Sequence, residues 1–75
     1  MAVYHFDVQS DGGPWSDDDT GTELPGPDLA RHEAVRLAYC LARENPASEL
    51  SIRVRNGQPT PLLTVRVSTS IKMRA

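Results

Sequence analysis

Strict alternation along residues 2–9 is the feature that most constrains the fold of this chain. Apolar and aromatic side chains recur at every second position, and the positions between them carry mostly polar groups. Because successive side chains of a strand point to opposite faces of a sheet, a period of two predicts a half-buried β-strand. Its core-facing set is Ala2, Tyr4, Phe6 and Val8, and its outward set is Val3, His5, Asp7 and Gln9.

A turn is predicted at residues 11–13, where adjacent glycines accept positive φ angles at little cost. The chain is then expected to return as a short strand over residues 14–17. Pro14 has no N–H to donate to a ladder, so this strand belongs at an edge or a bulge. Trp15 is expected to cover the end of the core, and the polar, Gly- and Pro-rich residues 17–27 are predicted to form a loop.

A helix is predicted from near Asp28 to about Asn45. Its cap is either Asp28 itself or Gly26 with Pro27 in the first helical position, and both arrangements fit the sequence. Pro46 disfavours helical geometry in the residue before it, which favours an end at Asn45. Apolar residues at helical spacing form the buried stripe: Ala30, Ala34, Leu37, Ala38 and Leu41.

Two more alternating segments follow the helix. They cover residues 50–55 and 61–68, with Ile71 as an extension, and the turn signal Asn56-Gly57 lies between them. The predicted element order is therefore β-β-α-β-β. The fold class is α+β, with one helix packed on one face of a four-stranded, mostly antiparallel sheet.

The length of 75 residues predicts a single domain over residues 1–75, with residues 72–75 frayed. A chain this short buries only about 60% of its unfolded surface, so its stability is marginal. Cys40 is the only cysteine, and with His5 and His32 it lacks the spacing of a zinc site. No disulfide, metal or cofactor is expected, which leaves self-association as the way to add burial.

The apolar content is too dispersed for a membrane segment. The first residues lack a basic region followed by a long apolar run, and no stretch is long enough to span a bilayer. A single cysteine without an export signal favours the cytoplasm as the location.

The net charge of −2 hides a strong asymmetry along the chain. Residues 1–30 contain seven acids and no Lys or Arg, whereas residues 31–75 contain all eight basic residues and three acids. The two parts therefore carry about −7 and +5. Either they fold against each other and their charges complement, or one face is basic and meets an anion. The first interpretation is favoured, because nucleic-acid-binding domains usually have a basic total charge.

Several short motifs follow one another along the first part of the chain. They are an aromatic first strand at residues 4–8, Asp11-Gly12, an acidic run with Gly-x-Glu-Leu-Pro at residues 17–25, and a helix start at Asp28-Leu29. In this order the chain resembles a family of small uncharacterised bacterial proteins, a domain-of-unknown-function group. Gly26-Pro27 departs from the pattern as an insertion before the helix. The resemblance covers most of the chain, supports the architecture and implies no activity.

The acidic residues 17–23 form the run that most suggests chemistry. Hard cations such as calcium bind several oxygens, but an EF-hand loop starting at Asp17 needs Gly and Glu where Thr22 and Asp28 stand. Residues 19–22 also resemble a phosphoryl-transfer aspartate motif, whose chemistry needs a longer domain. The favoured interpretation is a solvated loop whose aspartates accept local backbone N–H groups.

His5 and Asp7 share the outward face of the first strand, and three arginines are predicted on the same face. A His–Asp pair beside arginines can bind an anion or move protons. However, no residue supplies a nucleophile, and a chain of this size has no room for a deep pocket. A cross-strand ion pair between Asp7 and an arginine is favoured, and the chain is not expected to be an enzyme.

The candidate anion or nucleic-acid face consists of those arginines, Arg53, Arg55 and Arg66. Sheets that bind RNA usually add exposed aromatic side chains for base stacking. Here Tyr4 and Phe6 are predicted on the opposite face. A nucleic-acid-binding or antitoxin-like regulator is therefore the second functional hypothesis.

The outer face of the predicted helix is the candidate partner site. Tyr and Arg are enriched among the residues that dominate protein interfaces. The first hypothesis is a small non-catalytic protein-interaction or regulatory module that binds an unknown protein or a second copy, through this face or an edge strand. The residues proposed for the helix face are Val35, Tyr39, Arg36 and Arg43.

Overall fold

The computed structural model describes residues 1–45, 49–58 and 60–68. Four strands and one helix follow in the order β1 (Ala2–Ser10), β2 (Thr22–Leu24), α1 (Pro27–Glu44), β3 (Glu49–Arg55) and β4 (Leu63–Ser68). The strands form one antiparallel sheet in the order β2-β1-β3-β4. The predicted α+β class and β-β-α-β-β order are confirmed. The predictions for Pro46, Ile71 and residues 72–75 lie outside the described residues.

The core lies between α1 and one face of the sheet. The side chains at alternate positions of β1 and β3 meet three alanines of the helix, whose small methyl groups let the helix backbone approach the strands closely. The core faces predicted for the first strand and for the helix are thereby confirmed. The buried apolar residues are Tyr4, Phe6, Ala30, Ala34, Ala38, Leu50, Ile52 and Val54.

The helix begins at Pro27, and Gly26 is its N-cap. Of the two predicted starts, the structure has the one with proline in the first helical position, where a missing N–H has no intrahelical acceptor to lose. Asp28 lies in the first turn and Arg43 in the last. These positions suit the partial charges at the two helix ends. Within the described ranges, no helix is long and apolar enough to cross a membrane.

The return strand lies further along the chain than predicted. Residues 14–17 contribute a single bridge, in which Ser16 and Val8 exchange both backbone hydrogen bonds at 2.7 and 3.0 Å. Regular pairing resumes only at Thr22, opposite Tyr4. Residues 17–21 thus stand against residues 5–7 of β1, and the excess of two residues forces the segment to bulge outward. The predicted loop over residues 17–27 therefore contains β2.

The predicted turn after β1 is present, with one change in its residues. Gly13 donates its N–H to the carbonyl of Ser10 at 3.0 Å, which closes the turn. Positive φ angles occur at Asp11 (53°) and Gly12 (70°), not at the two adjacent glycines. Two successive positive φ angles are characteristic of the type I′ turn, whose twist matches that of the flanking strands.

Candidate functional site

A polar cluster occupies the face of the sheet that points away from α1. At its centre is Asp7, whose exposed fraction is 0% although it lies on the uncovered face. The register places Asp7 directly opposite Arg53, and Arg55 follows two positions along the same strand, opposite His5. Because residues two apart in a strand share a face, both guanidinium groups can reach the same carboxylate.

Four hydrogen bonds satisfy the Asp7 carboxylate. Arg55 donates from Nε to Oδ2 at 2.5 Å and from Nη2 to Oδ1 at 2.9 Å. Arg53 donates from Nε to Oδ2 at 2.8 Å, and the backbone N–H of Asp18 donates to Oδ1 at 2.9 Å. The predicted cross-strand pair is thus confirmed, and it involves two arginines instead of one.

These contacts decide the protonation of Asp7. Burial alone raises the pKa of a carboxyl group, but the hydrogen bonds from Arg55, the Asp18 N–H and Arg53 outweigh it and hold the pKa of Asp7 well below its usual range. The pKa of Arg55 is raised in turn by its hydrogen bond to Asp7. A general acid or base needs a pKa near the operating pH, whereas the pKa of Asp7 is shifted downward, away from neutral pH.

Trp15 belongs to this cluster and does not cover the end of the core as predicted. The Cζ atom of Arg53 lies 4.3 Å from the centroid of the Trp15 ring, a cation–π contact. The bridge explains this position. Ser16 stands opposite the core-facing Val8, so the preceding residue points to the outer face. Besides its contact with Trp15, Arg53 donates from Nη2 to Oδ1 of Asp17 at 3.1 Å.

Asp18 holds the bulge in place with its side chain. Its carboxylate accepts the backbone N–H groups of Phe6, Thr20 and Gly21 at 3.1, 3.2 and 3.0 Å. The Phe6 N–H faces the gap in the β1–β2 ladder, so the carboxylate replaces a missing backbone acceptor. These hydrogen bonds, that from Gly21 foremost, lower the pKa of Asp18. The prediction that this loop's aspartates accept local N–H groups is confirmed for Asp18.

His5 is fixed to the same bulge. Its Nδ1 lies 2.7 Å from the backbone carbonyl of Asp18. A carbonyl oxygen only accepts, so Nδ1 carries the proton and donates it. Within residues 1–45, 49–58 and 60–68, no group of three or more His, Cys, Asp or Glu side chains is arranged to hold a metal ion.

The three arginines of the candidate anion face are placed differently from one another. Arg53 and Arg55 meet at Asp7, and Asp17 also engages Arg53, so carboxylates offset their charges. Arg66 lies on β4 opposite Ser51 and is exposed. It lines a cavity of about 290 Å³ together with Gln9, Ser51 and Ser68.

The four residues of the candidate helix face lie on the outward side of α1. Tyr39 has 63% of its surface exposed, and Val35 is half-buried. Arg43 is exposed, whereas Arg36 forms an ion pair with Glu33 one turn earlier, and this contact lowers the pKa of Glu33. Val35 also borders a surface cavity of about 460 Å³ with Asp28, Arg31 and His32.

The family model described as Domain of unknown function (DUF6894) matches residues 3–68, a range that reaches from β1 to the end of β4. No curated protein and no solved structure matches the chain. The predicted resemblance to an uncharacterised domain family is confirmed.

Proposed function

The chain belongs to the DUF6894 family, and from that premise we propose that it is a small non-catalytic protein-interaction or regulatory module that binds a protein partner through the outward face of α1. The observation that carries the proposal is the exposure of Tyr39, a residue with 63% of its surface accessible at the middle of that face. Tyrosine combines a large apolar ring with a hydroxyl group, which is why it is enriched in interface hot spots.

The neighbours of Tyr39 indicate the chemistry of the partner. Val35 lies one turn before it and supplies an aliphatic contact at helical spacing. Arg43, one turn after Tyr39, adds exposed positive charge beside this apolar centre, whereas the charge of Arg36 is offset by its ion pair with Glu33. A partner surface with an apolar centre and an acidic rim complements this face.

The non-catalytic part of the proposal is supported by the state of the polar cluster. Asp7 is enclosed by donors and stays ionised, and the carboxylate of Asp18 is used by three backbone N–H groups. His5 donates from Nδ1 to the backbone carbonyl of Asp18, which anchors its ring to the bulge. These groups stabilise the sheet and its bulge, which is a structural role. The cytoplasmic location expected from the single cysteine stays a prediction.

The helix-face proposal is tested by capture of partners on tagged protein in lysate of the source cells, after nuclease treatment. Tyr39→Ala and Val35→Asp are compared with the wild type, and Leu62→Ala is the control because it removes an exposed apolar side chain elsewhere. Circular dichroism establishes that each variant is folded. We expect the helix-face variants to lose a partner that Leu62→Ala retains, with affinity reduced at least tenfold. Equal capture by all four proteins would refute the proposal.

Nucleic-acid binding through Arg53, Arg55 and Arg66 is the second candidate function. The position of Trp15 favours it, because the ring supplies an aromatic group on the arginine-bearing face. We rank it second because carboxylates engage Arg53 and Arg55. Its test is retention on single-stranded RNA at low salt, with Arg66→Ala weakening retention and Arg31→Ala serving as control. No retention at low salt would remove this candidate.

A further inference from the structure

The edge of the sheet at β4 is open within the residues that the structure describes. β4 (Leu63–Ser68) pairs there with β3 alone, and it contains no proline. The opposite edge is β2 (Thr22–Leu24), which is only three residues long and is followed by Pro25. A longer edge with unpaired N–H and C=O groups is a template for the addition of another strand.

The hydrogen-bonding direction of each strand follows from the bridge at Val8. In an antiparallel sheet, the N–H and C=O of one residue point to the same side and alternate along the strand. Val8 exchanges both bonds with Ser16, on the β2 side of β1. Asp7 therefore points its backbone groups toward β3, where its register partner is Arg53.

The same alternation identifies the backbone groups at the free edge. Since Arg53 points its backbone groups toward β1, Ile52 points toward β4 and meets Val65. Val65 thus uses its N–H and C=O inside the sheet. The neighbouring residues Thr64 and Arg66 point theirs away from β3, toward the open edge.

The side chains of β4 that face the core are incompletely covered. Those of β3 have exposed fractions of 2% or less, whereas those of β4 are only half-buried beneath α1. Apolar surface on the core face thus continues to the edge of the sheet. The residues compared are Leu50, Ile52 and Val54 of β3 with Leu63, Val65 and Val67 of β4.

We propose that a second copy of this chain binds at this edge, with the two β4 strands antiparallel and Val65 opposite Val65. This register aligns Leu63 with Val67 of the second copy, so the apolar row continues across the interface. It also sets Thr64 opposite Arg66 of the second copy, and both residues point their backbone groups at the edge. The proposal goes beyond the helix-face function because it uses another surface of the molecule.

The sequence of β4 favours this register over its neighbours. With Thr64 opposite Thr64, only residues 63–65 of the two β4 strands would face each other, against residues 63–67 here. A shift that pairs Arg66 with Arg66 sets like charges directly opposite each other, which is destabilising. A shift by one residue instead pairs core-facing with outward-facing side chains. The occupant is therefore another β4, since its own pattern supplies the matching apolar row and avoids the charge conflict.

The register is tested by analytical ultracentrifugation of the full chain over a concentration series. Thr64→Arg sets arginine opposite Arg66 of the second copy, so we expect the dimer dissociation constant to rise roughly tenfold. Adding Arg66→Glu in the same chain turns that contact into an opposite-charge pair and restores dimerisation, while Arg66→Glu alone changes little. Because Thr64 also lies opposite Arg53 in its own chain, circular dichroism and thermal unfolding establish that each variant is folded.

Cross-linking supplies a second measurement of the register. In a Cys40→Ser background, Val65→Cys brings two cysteines to directly opposite positions, where Cα atoms lie roughly 4.5 Å apart, within the range of a disulfide. Val67→Cys is the matched control, since its two copies lie roughly 13 Å apart along the strands. We expect mild oxidation to give a covalent dimer for Val65→Cys and not for Val67→Cys.

The outcomes separate this proposal from the helix-face function. Loss of dimer with Thr64→Arg, rescue by Arg66→Glu and selective cross-linking at position 65 support the β4 interface. A wild-type chain that stays monomeric at millimolar concentration overturns it, as does a dimer that Thr64→Arg leaves unchanged. A dimer that Tyr39→Ala abolishes while Thr64→Arg does not is formed through the helix face, and it overturns the β4 proposal alone.

Discussion

Asp7 and Arg55, 48 positions apart in the chain, form a bidentate pair of hydrogen bonds between β1 and β3. This contact ties the acidic N-terminal part of the chain to the basic C-terminal part, and Asp17 and Arg53 form a second link. Part of the charge asymmetry, about −7 in residues 1–30 against +5 in residues 31–75, is therefore neutralised by ion pairs within the fold. The interpretation that the two parts complement each other accounts for these contacts.

Replacement of Asp7 is expected to destabilise the protein strongly. Asp7→Asn removes the charge that two guanidinium groups and an N–H enclose, and it places an amide N–H₂ among donors. We expect a loss of about 2–3 kcal/mol in the free energy of unfolding. Urea unfolding followed by Trp15 fluorescence measures it, and the exposed Asp19→Asn is the control. Equal unfolding free energies for the two variants would contradict a structural role for Asp7.

Acid is expected to destabilise the wild type through the same group. Burial raises the pKa of Asp7, but hydrogen bonds from Arg55, the Asp18 N–H and Arg53 lower it by more than burial raises it. The pKa of Asp7 in the folded protein therefore lies below its ordinary value of 3.8. As the pH falls, the unfolded chain takes up the proton first. The contribution of Asp7 is thus complete above this ordinary value and is lost as the pH falls below it.

The measurement is the free energy of unfolding at a series of pH values between about pH 5 and pH 2. The wild type is expected to lose stability more steeply than Asp7→Asn, which has no carboxyl group at this position. The decline that remains in Asp7→Asn includes Asp18, whose pKa is also lowered. Parallel curves for the two proteins would show that Asp7 does not cause the acid sensitivity.

Gly21 is expected to tolerate no side chain, in contrast to Gly12. Both glycines have positive φ angles, 77° and 70°. A Cβ at Gly21 would lie 2.5 Å from Cγ1 of Val3 and 3.0 Å from Cε1 of His5, whereas one at Gly12 would meet nothing within 4 Å. Gly12→Ala is therefore expected to cost only about 1 kcal/mol, the cost of a positive φ angle at a residue with a side chain. Gly21→Ala has the same conformational cost and a steric clash in addition. Thermal unfolding should show a clearly larger drop in Tm for Gly21→Ala. Similar drops for the two variants would mean that the side chains of Val3 and His5 move aside freely.

The periodic parts of the fold were predictable because they depend on local pattern. Alternation identified β1, β3 and β4 and assigned Asp7, Arg53 and Arg55 to one face, since side-chain direction in a strand depends only on parity. The alanine stripe identified the buried side of α1 in the same way. The ion pair between Asp7 and an arginine was predictable because the alternation placed opposite charges on the same face of neighbouring strands.

The return segment was not predictable in detail, because its register depends on contacts across the bulge. The single bridge at Ser16 decides that Trp15 lies on the outer face, and a shift by one residue would have reversed its direction. β2 begins only at Thr22, beyond the bulge whose extra residues are held in place by hydrogen bonds to the Asp18 carboxylate. The acidic run was visible in the sequence, but nothing in its spacing distinguished Asp18 from its neighbours.

Asp18 is expected to be the one indispensable acid of its loop. Asp18→Ala deprives Phe6, Thr20 and Gly21 of their N–H acceptor, so we expect a loss of about 2 kcal/mol in the free energy of unfolding. Asp17→Ala is the matched control, since its exposed ion pair with Arg53 contributes under about 1 kcal/mol. Amide hydrogen exchange should accelerate at Phe6 in Asp18→Ala and stay unchanged there in Asp17→Ala. If both variants protect the Phe6 amide as the wild type does, another group holds the bulge and the role given to Asp18 is wrong.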